Sequence, residues 1–297
     1  MSGRIARIDA WEVVVPAHPG AINSESLGNF LDHPWDLMPI VVLEVTFADG
    51  VTGLGEIGRG VALADVDGWL KELPGVALSG LSPRGLPAHW HSKGTFGGAI
   101  EDRLPPPLAA SPSPVASALE MAQLDAGGKR LNCRAVDLLG GAYRERVAVD
   151  YWCGRKTPDD LRGTVARARE RGFSGLKMKS KHLDPAEQQL EAIKAEGGDD
   201  FSVTIDPMSQ WFGPTENLYT LKRLERFSHV RIEDPFPEDM PAMWRRARQT
   251  CAVPLILHAR SLGALRRGLS EEMADGYNVS GGAFDFLTVA HAVEVLR

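Results

Sequence analysis

Two lysines one residue apart, Lys177 and Lys179, are followed at intervals by Asp206, Glu233 and His258. Alternate residues of an extended chain share a face, so Lys177 and Lys179 point one way and Met178 the other. Ammonium groups side by side disfavour each other's charged form, which lowers the lysine pKa and makes a neutral lysine usable as a base near pH 7. Asp206 stands in Thr204-Ile205-Asp206-Pro207 and Glu233 in Arg231-Ile232-Glu233-Asp234-Pro235; each follows apolar residues and precedes a strand-ending proline. Carboxylates so placed suit Mg2+, a hard cation that takes oxygen ligands and keeps exchangeable waters. A cation opposite a lysine base is the pairing needed to remove the weakly acidic proton beside a carboxylate, because the resulting enediolate carries its charge on oxygen. Each residue also has a plainer reading. The lysines could snorkel to solvent and Asp206 could cap a helix. Glu233 is a poor N-cap, so the functional reading leads there, and the acids on neighbouring strands weaken the plain reading of the lysines.

These residues need a scaffold that brings distant segments together. From residue 147 onward short apolar runs alternate with amphipathic stretches, the pattern of parallel βα units. The strands fall at 147–151, 175–179, 202–206, 230–233, 254–258 and 276–279, spaced like a supersecondary repeat. Thr157-Pro158 opens one helix that Gly172 closes, and Asp184-Pro185 opens another that stops at Gly197-Gly198. Lys177, Lys179, Asp206, Glu233 and His258 all fall at the C-terminal ends of these strands. In a βα-barrel those ends converge on one mouth, so the polar positions favour a barrel over an open sheet.

The N-terminal part reads differently. Residues 5–15 and 39–47 alternate and are β-branched, Asp49-Gly50 signals a hairpin, and 51–57 returns as a third strand. Between the first two strands lies a long loop, residues 16–35, carrying His18, Asn23, His33 and Trp35; it is expected to be a mobile lid whose Asn23, His33 and Trp35 contact substrate. Residues 58–114 are broken by proline and glycine and should hold only short helices, whereas 113–129 has helical spacing with Val115, Leu119, Ala122 and Ala126 on one face. The fold class is therefore α/β: an N-terminal α+β capping domain, residues 1–125, followed by an incomplete TIM-like (β/α) barrel, residues 126–297.

Composition narrows the partners. The chain has 297 residues, 43% hydrophobic and 24% charged, enough for a large core. A net charge of -6 with no basic run gives no reason to expect nucleic acid or an anionic membrane as partner. Cys133, Cys153 and Cys251 are odd in number and lack C-x-x-C spacing, which fits reduced thiols and a cytoplasmic location. Neither a signal-peptide core nor a bilayer-length apolar run is present.

The Lys-x-Lys pair, the Asp206 and Glu233 strand ends, and the stretch Ser117-Ala118-Leu119, Leu124-Asp125, Gly128-Lys129, Leu138-Leu139-Gly140-Gly141 resemble the enolase superfamily, in its mandelate racemase and muconate lactonizing enzyme branch. The resemblance covers nearly the whole chain. It implies a capping domain whose loop closes over a modified (β/α)7β barrel, Lys179 as base, Lys177 assisting and contacting the substrate carboxylate, and Asp206 and Glu233 as two of three Mg2+ ligands. A lysine or histidine base paired with Mg2+ is a known pattern of this superfamily.

The chain departs from that pattern in three places. Where the family carries a third acid, this sequence has His258, which could ligate a metal and favour Mn2+ or Zn2+ over Mg2+, act in acid–base chemistry, or line the mouth. Arg260 beside it could hold a substrate carboxylate or be a surface residue. Met208 replaces the usual asparagine after the first acid. After residues 276–279 and Gly281-Gly282 one helical pattern (Phe284, Leu287, Ala290, Val293) runs to Arg297, leaving the late barrel strands missing and suggesting a truncated product. A second catalytic base cannot be assigned, so the expected function is metal-dependent abstraction of the proton α to a carboxylate, with dehydration of a small hydroxy acid or acid sugar preferred to racemisation or epimerisation. The rival reading is an inactive family member kept as a binding or structural protein. A phosphate-binding barrel would need loops after strands that the sequence lacks. A homo-oligomer is expected, since it would cover open sheet edges.

Overall fold

The computed structural model describes residues 3–28, 37, 39–58, 60–78, 114–260 and 262–279. His33, Trp35 and the helical pattern after Gly282 lie outside these residues.

Strands β1 (Ile5–Val14), β2 (Pro39–Phe47) and β3 (Thr52–Ile57) form an antiparallel sheet in the order β1-β2-β3. Period-2 patterning decides its faces. Val41, Leu43, Val45 and Phe47 of β2 are buried while the residues between them are partly exposed. The buried face packs against helix α1 (Leu63–Glu72), through Val66 and Leu70, and helix α2 (Pro114–Leu131), through Val115, Ala118, Leu119, Ala122 and Ala126. The expected apolar stripe of the second helix therefore lies in this core. At Gly53 and Gly55 the α2 backbone comes so close that a Cβ would stand 1.8 Å from the Ala122 carbonyl oxygen and 2.0 Å from that of Ala118. At the far end of α2, Arg130 holds hairpin residue Asp49 with a two-pronged contact of 2.6 and 2.9 Å. The Arg130 side-chain hydrogen bond keeps the Asp49 pKa down at about 2.

After the short helix α3 (Ala135–Leu138) come the parallel units: β4 (Tyr151–Cys153), α4 (Pro158–Glu170), β5 (Gly175–Lys179), α5 (Ala186–Gly197), β6 (Ser202–Asp206), α6 (Pro214–Leu224), β7 (Val230–Glu233), α7 (Pro241–Thr250), β8 (Leu255–Ala259), α8 (Leu262–Ser270) and β9 (Gly276–Val279). All six strands pair with their sequence neighbours in the order β4-β5-β6-β7-β8-β9, giving a partial, unclosed TIM-like barrel among the described residues. The helix starts follow local chemistry: the Thr157 side chain accepts the Asp160 N–H with Pro158 next in line, and Gly213-Pro214 opens α6.

One strand lies later than its pattern suggests. The apolar alternation of 147–151 predicts a strand there, but β4 begins at Tyr151, which pairs with Leu176. Val147 and Val149 stand exposed before the ladder, because β5 offers its partners only to residues 151–153. Along the other strands alternation sorts residues into two faces. Leu176, Met178, Val203, Ile205, Val230, Ile232, Leu255 and Leu257 join one core with Leu161, Val165, Leu190, Leu221 and Trp244 of the helices. Lys177, Lys179, Thr204, Asp206, Arg231, Glu233, His258 and Asn278 have the opposite parity and face the barrel interior.

The first loop is joined to the barrel mouth. Gly154 N–H donates to the Ile22 carbonyl (2.8 Å), Ser24 N–H to that of Arg155 (2.7 Å), and Arg155 N–H to Asn23 Oδ1 (2.8 Å). Ser24 Oγ accepts from Thr157 N–H (2.9 Å) and donates to Asp160. Buried Lys156 donates to the Gly20 carbonyl, and Arg155 donates to the Leu27 carbonyl and grips Asp184 at 2.5 and 2.9 Å. The segment 18–28, from the N-terminal sheet's connection, is thus fixed on the β4–α4 turn.

Two outcomes follow from this packing. Gly55→Ala should lower the urea midpoint by a loss of about 3 kcal/mol, as overpacking against backbone does at its upper end; an unchanged midpoint would show that α2 does not sit on β3 as closely as described. Arg155→Ala leaves Asp184 without its buried cation, at a cost of about 3 kcal/mol, and should speed proteolytic cleavage within residues 18–28. Wild-type cleavage there would disprove the docking of this loop through Arg155.

Candidate active site

The interior parity of β5, β6 and β7 brings four ionised groups together. Lys179 and Asp206 are register partners, and Lys179 Nζ donates to Asp206 Oδ2 at 2.5 Å. Lys177 Nζ lies 2.7 and 2.6 Å from Glu233 Oε1 and Oε2, and 3.2 Å from Asp206 Oδ2. Both acids are almost wholly buried, at 1% and 2% exposure. Asp206 Oδ1 also accepts the Met208 N–H at 3.0 Å, so the residue that replaces the usual asparagine still serves the acid through its backbone.

The electrostatics correct one expectation. Burial pulls Lys177 toward neutrality, but Asp206 and then Glu233 outweigh it and hold its pKa above the ordinary lysine value. The like-charge effect expected to make it a neutral base is therefore overridden while both carboxylates face it. Burial pushes Asp206 up, and Lys179 followed by Lys177 more than reverses this, leaving its pKa lowered.

His258 sits on β8 in register with Asn278 of β9. Its Nδ1 is 3.9 Å from Glu233 Oε1, too far for a hydrogen bond, and its buried Nε2 has no hydrogen-bond partner among the described residues. Burial, then Arg260 and Lys177, bring its pKa down to about 4, so the imidazole is neutral at pH 7. Arg260 is half-exposed and reaches Asp234 Oδ2 at 3.3 Å. Asn23 is placed at the mouth's edge, where its Oδ1 accepts from Arg155. His33 and Trp35 fall outside the described residues.

Two residues of this site escaped the sequence reading. Asn278 Nδ2 donates to Glu233 Oε1 at 3.0 Å and so orients that carboxylate from β9. Asp234, at φ +46°, turns its buried carboxyl to β8, where Oδ1 accepts the His258 N–H at 2.8 Å. Burial lifts its pKa to about 7 against the pull of that N–H and of Arg260. Asn278 could have been found from parity, two residues into a strand that borders His258. Asp234 carried no such signal, since an acid before Pro235 reads as a strand end.

Among the described residues no three of His, Cys, Asp and Glu converge closely enough to hold a metal by themselves. A divalent ion nonetheless fits the donor chemistry in part. The Lys177 ammonium acts as a stand-in cation within reach of both Asp206 and Glu233, and His258 adds an orphaned buried nitrogen next to Glu233. Two carboxylates are therefore present as donors, and the third position is an imidazole rather than an acid.

Comparison with known proteins agrees with this architecture. The family model described as "Enolase C-terminal domain-like" matches residues 160–294. The chain is 26% identical over 286 residues to the N-succinyl-L-Arg/Lys racemase of Bacillus cereus, covering 91% of this chain and 72% of the racemase. It is 25% identical over 236 residues to a D-galactonate dehydratase of Klebsiella pneumoniae, covering 74% of this chain and 58% of the dehydratase. The L-Ala-D/L-Glu epimerase of Bacillus subtilis superposes with a TM-score of 0.76 at 16% identity, over 99% of this chain and 79% of the epimerase. The chain therefore carries an enolase C-terminal domain-like region at residues 160–294, and its fold is that of the mandelate racemase-like solved structures.

Proposed function

We propose that this chain abstracts the proton α to a carboxylate in a small hydroxy acid or acid sugar, with a divalent metal as cofactor and loss of water as the outcome. The observation that carries this reading is the convergence of Lys177, Lys179, Asp206 and Glu233 on the barrel interior. Relatives that are racemases and dehydratases support proton abstraction as the shared chemistry. Asp206 and Glu233 would hold the ion, Mg2+ or Mn2+, which when bound supplies positive charge to an enediolate's oxygens.

The chain's own groups divide the remaining work. Lys179 Nζ, as the neutral amine and turned away from Asp206 Oδ2, takes the α-proton. Lys177, the more exposed of the two at 22%, turns from Glu233 to the substrate carboxylate. Arg260 adds a guanidinium contact at the rim beside the Lys177 ammonium, and Asn278 keeps Glu233 oriented. The segment 18–28 borders the mouth where it docks on the β4–α4 turn. In this reading residues 1–125 are the cap, residues 126–297 the barrel, Asn23, His33 and Trp35 belong to the substrate-facing loop, and the working protein is a cytoplasmic homo-oligomer. Among the described residues no helix is long and apolar enough to cross a membrane.

One observation favours a second reading, a non-catalytic relative: two ammoniums already balance two carboxylates without any ion. Two measurements separate the readings. Calorimetry with Mg2+ and Mn2+ should show binding to the wild type and none to Asp206→Asn or Glu233→Gln. In D2O, a panel of 2-hydroxy acids and aldonates should yield at least one substrate that gains deuterium at its α-carbon. Lys179→Ala should slow that exchange by about 10²- to 10⁴-fold, the usual worth of a general base. Metal binding without deuterium entering any α-carbon would sink the catalytic reading.

A further inference from the structure

The barrel has a second opening, at the N-terminal ends of its strands. A cavity of about 420 Å³ lies there beside the starts of β6, β7 and β8, bounded by Ser202, the turn 227–231 and residues 252–254. That volume is in the range of small-molecule sites. None of Lys177, Lys179, Asp206 and Glu233 lines it.

Arg231 brings a guanidinium to this cavity with a donor to spare. Its Nη2 is 3.4 Å from Ser202 Oγ and 3.6 Å from Asp150 Oδ2, the second beyond hydrogen-bond reach. Its Nε is buried and has no hydrogen-bond partner among the described residues. Buried donors are ordinarily paired, so this edge of the guanidinium lacks the acceptor it calls for. The side chain is 41% exposed and has room to turn that edge toward a ligand. Glu225, the acid on the cavity wall, is already engaged by the Lys222 ammonium at 2.9 Å and the Ala252 N–H at 2.8 Å. The wall is shaped in advance: His229 is held at φ +64°, its carbonyl taken by the Val203 N–H at 2.8 Å.

We propose that this cavity binds a small organic monocarboxylate, its carboxylate on the Arg231 Nε edge and its apolar body against Phe227, Val253 and Pro254. The planar fork of arginine matches a carboxylate. One negative charge suits the place better than a phosphate dianion, because the Asp150 and Glu225 carboxylates stand beside it. The site lies at the opposite end of the strands from the proposed chemistry and does not depend on it.

Calorimetry of the full chain with sodium benzoate at fixed ionic strength tests this. A saturable binding event should appear in the wild type and weaken by about tenfold or more in Arg231→Gln, the loss expected for a charge-assisted hydrogen bond. Ser228→Trp fills the cavity from an exposed position with Arg231 left in place, so it should abolish binding and decides the matter if Arg231→Gln does not fold. Phenyl phosphate should bind more weakly than benzoate. Benzoate that binds Ser228→Trp as tightly as the wild type, or fails to bind the wild type, would overturn the site. Phenyl phosphate binding more tightly than benzoate would overturn the choice of a carboxylate.

Discussion

Four paired charges, three of them buried, constrain everything around them. Buried Lys179, Asp206 and Glu233 and half-buried Lys177 stand on three neighbouring strands inside a barrel mouth, and each faces an opposite charge there. Their pairing fixes depth as well as face: Lys179 must be level with Asp206, and Lys177 must reach across β6 to Glu233. The parallel registers supply that arrangement, with Lys179 opposite Asp206 and Thr204 opposite Arg231. Stability alone is a weak reason for such a cluster, because well-packed apolar side chains in place of a buried ion pair often leave a protein as stable or more so. The cost is better understood as preorganisation of groups that must act on a charged ligand.

The same mouth receives a segment from the other end of the fold. Residues 18–28 belong to the connection between β1 and β2, yet their carbonyls and side chains are taken up by Gly154, Arg155, Lys156 and Thr157. The barrel's first turn thus has two roles, opening α4 through the Thr157 cap and anchoring the loop. Burial of Lys156 makes the anchor consequential, since its ammonium finds the Gly20 carbonyl and loses that acceptor if the loop leaves. Sheet, loop and barrel are linked by polar contacts at a place where an apolar seal would not discriminate between positions.

Much of this was legible in the sequence because period and polarity report which face a residue takes. Alternation placed Lys177 with Lys179 and apart from Met178, and the acids that end apolar runs marked β6 and β7. What alternation does not report is depth or partner. The start of β4 was misplaced because Val147 and Val149 alternate like a strand but meet no ladder. The Lys177 pKa was expected to fall because sequence shows its like-charged neighbour, while the acids that reverse the shift are distant in the chain. Asp234 was passed over because its role depends on a positive φ, a property of the turn and not of residue type. The need for glycine at 53 and 55 likewise comes from a distant segment, the α2 backbone that lies against them.

Charge counting joins the histidine to the lysines. In the proposed reading the two acids and two ammoniums sum to zero, a divalent ion raises the total to two positive charges, and a substrate carboxylate lowers it to one. A third acid would cancel that remaining charge, but His258, with its pKa down at about 4, contributes none. A neutral imidazole in place of an acid therefore leaves net positive charge in this mouth, which favours an anionic ligand over a neutral one.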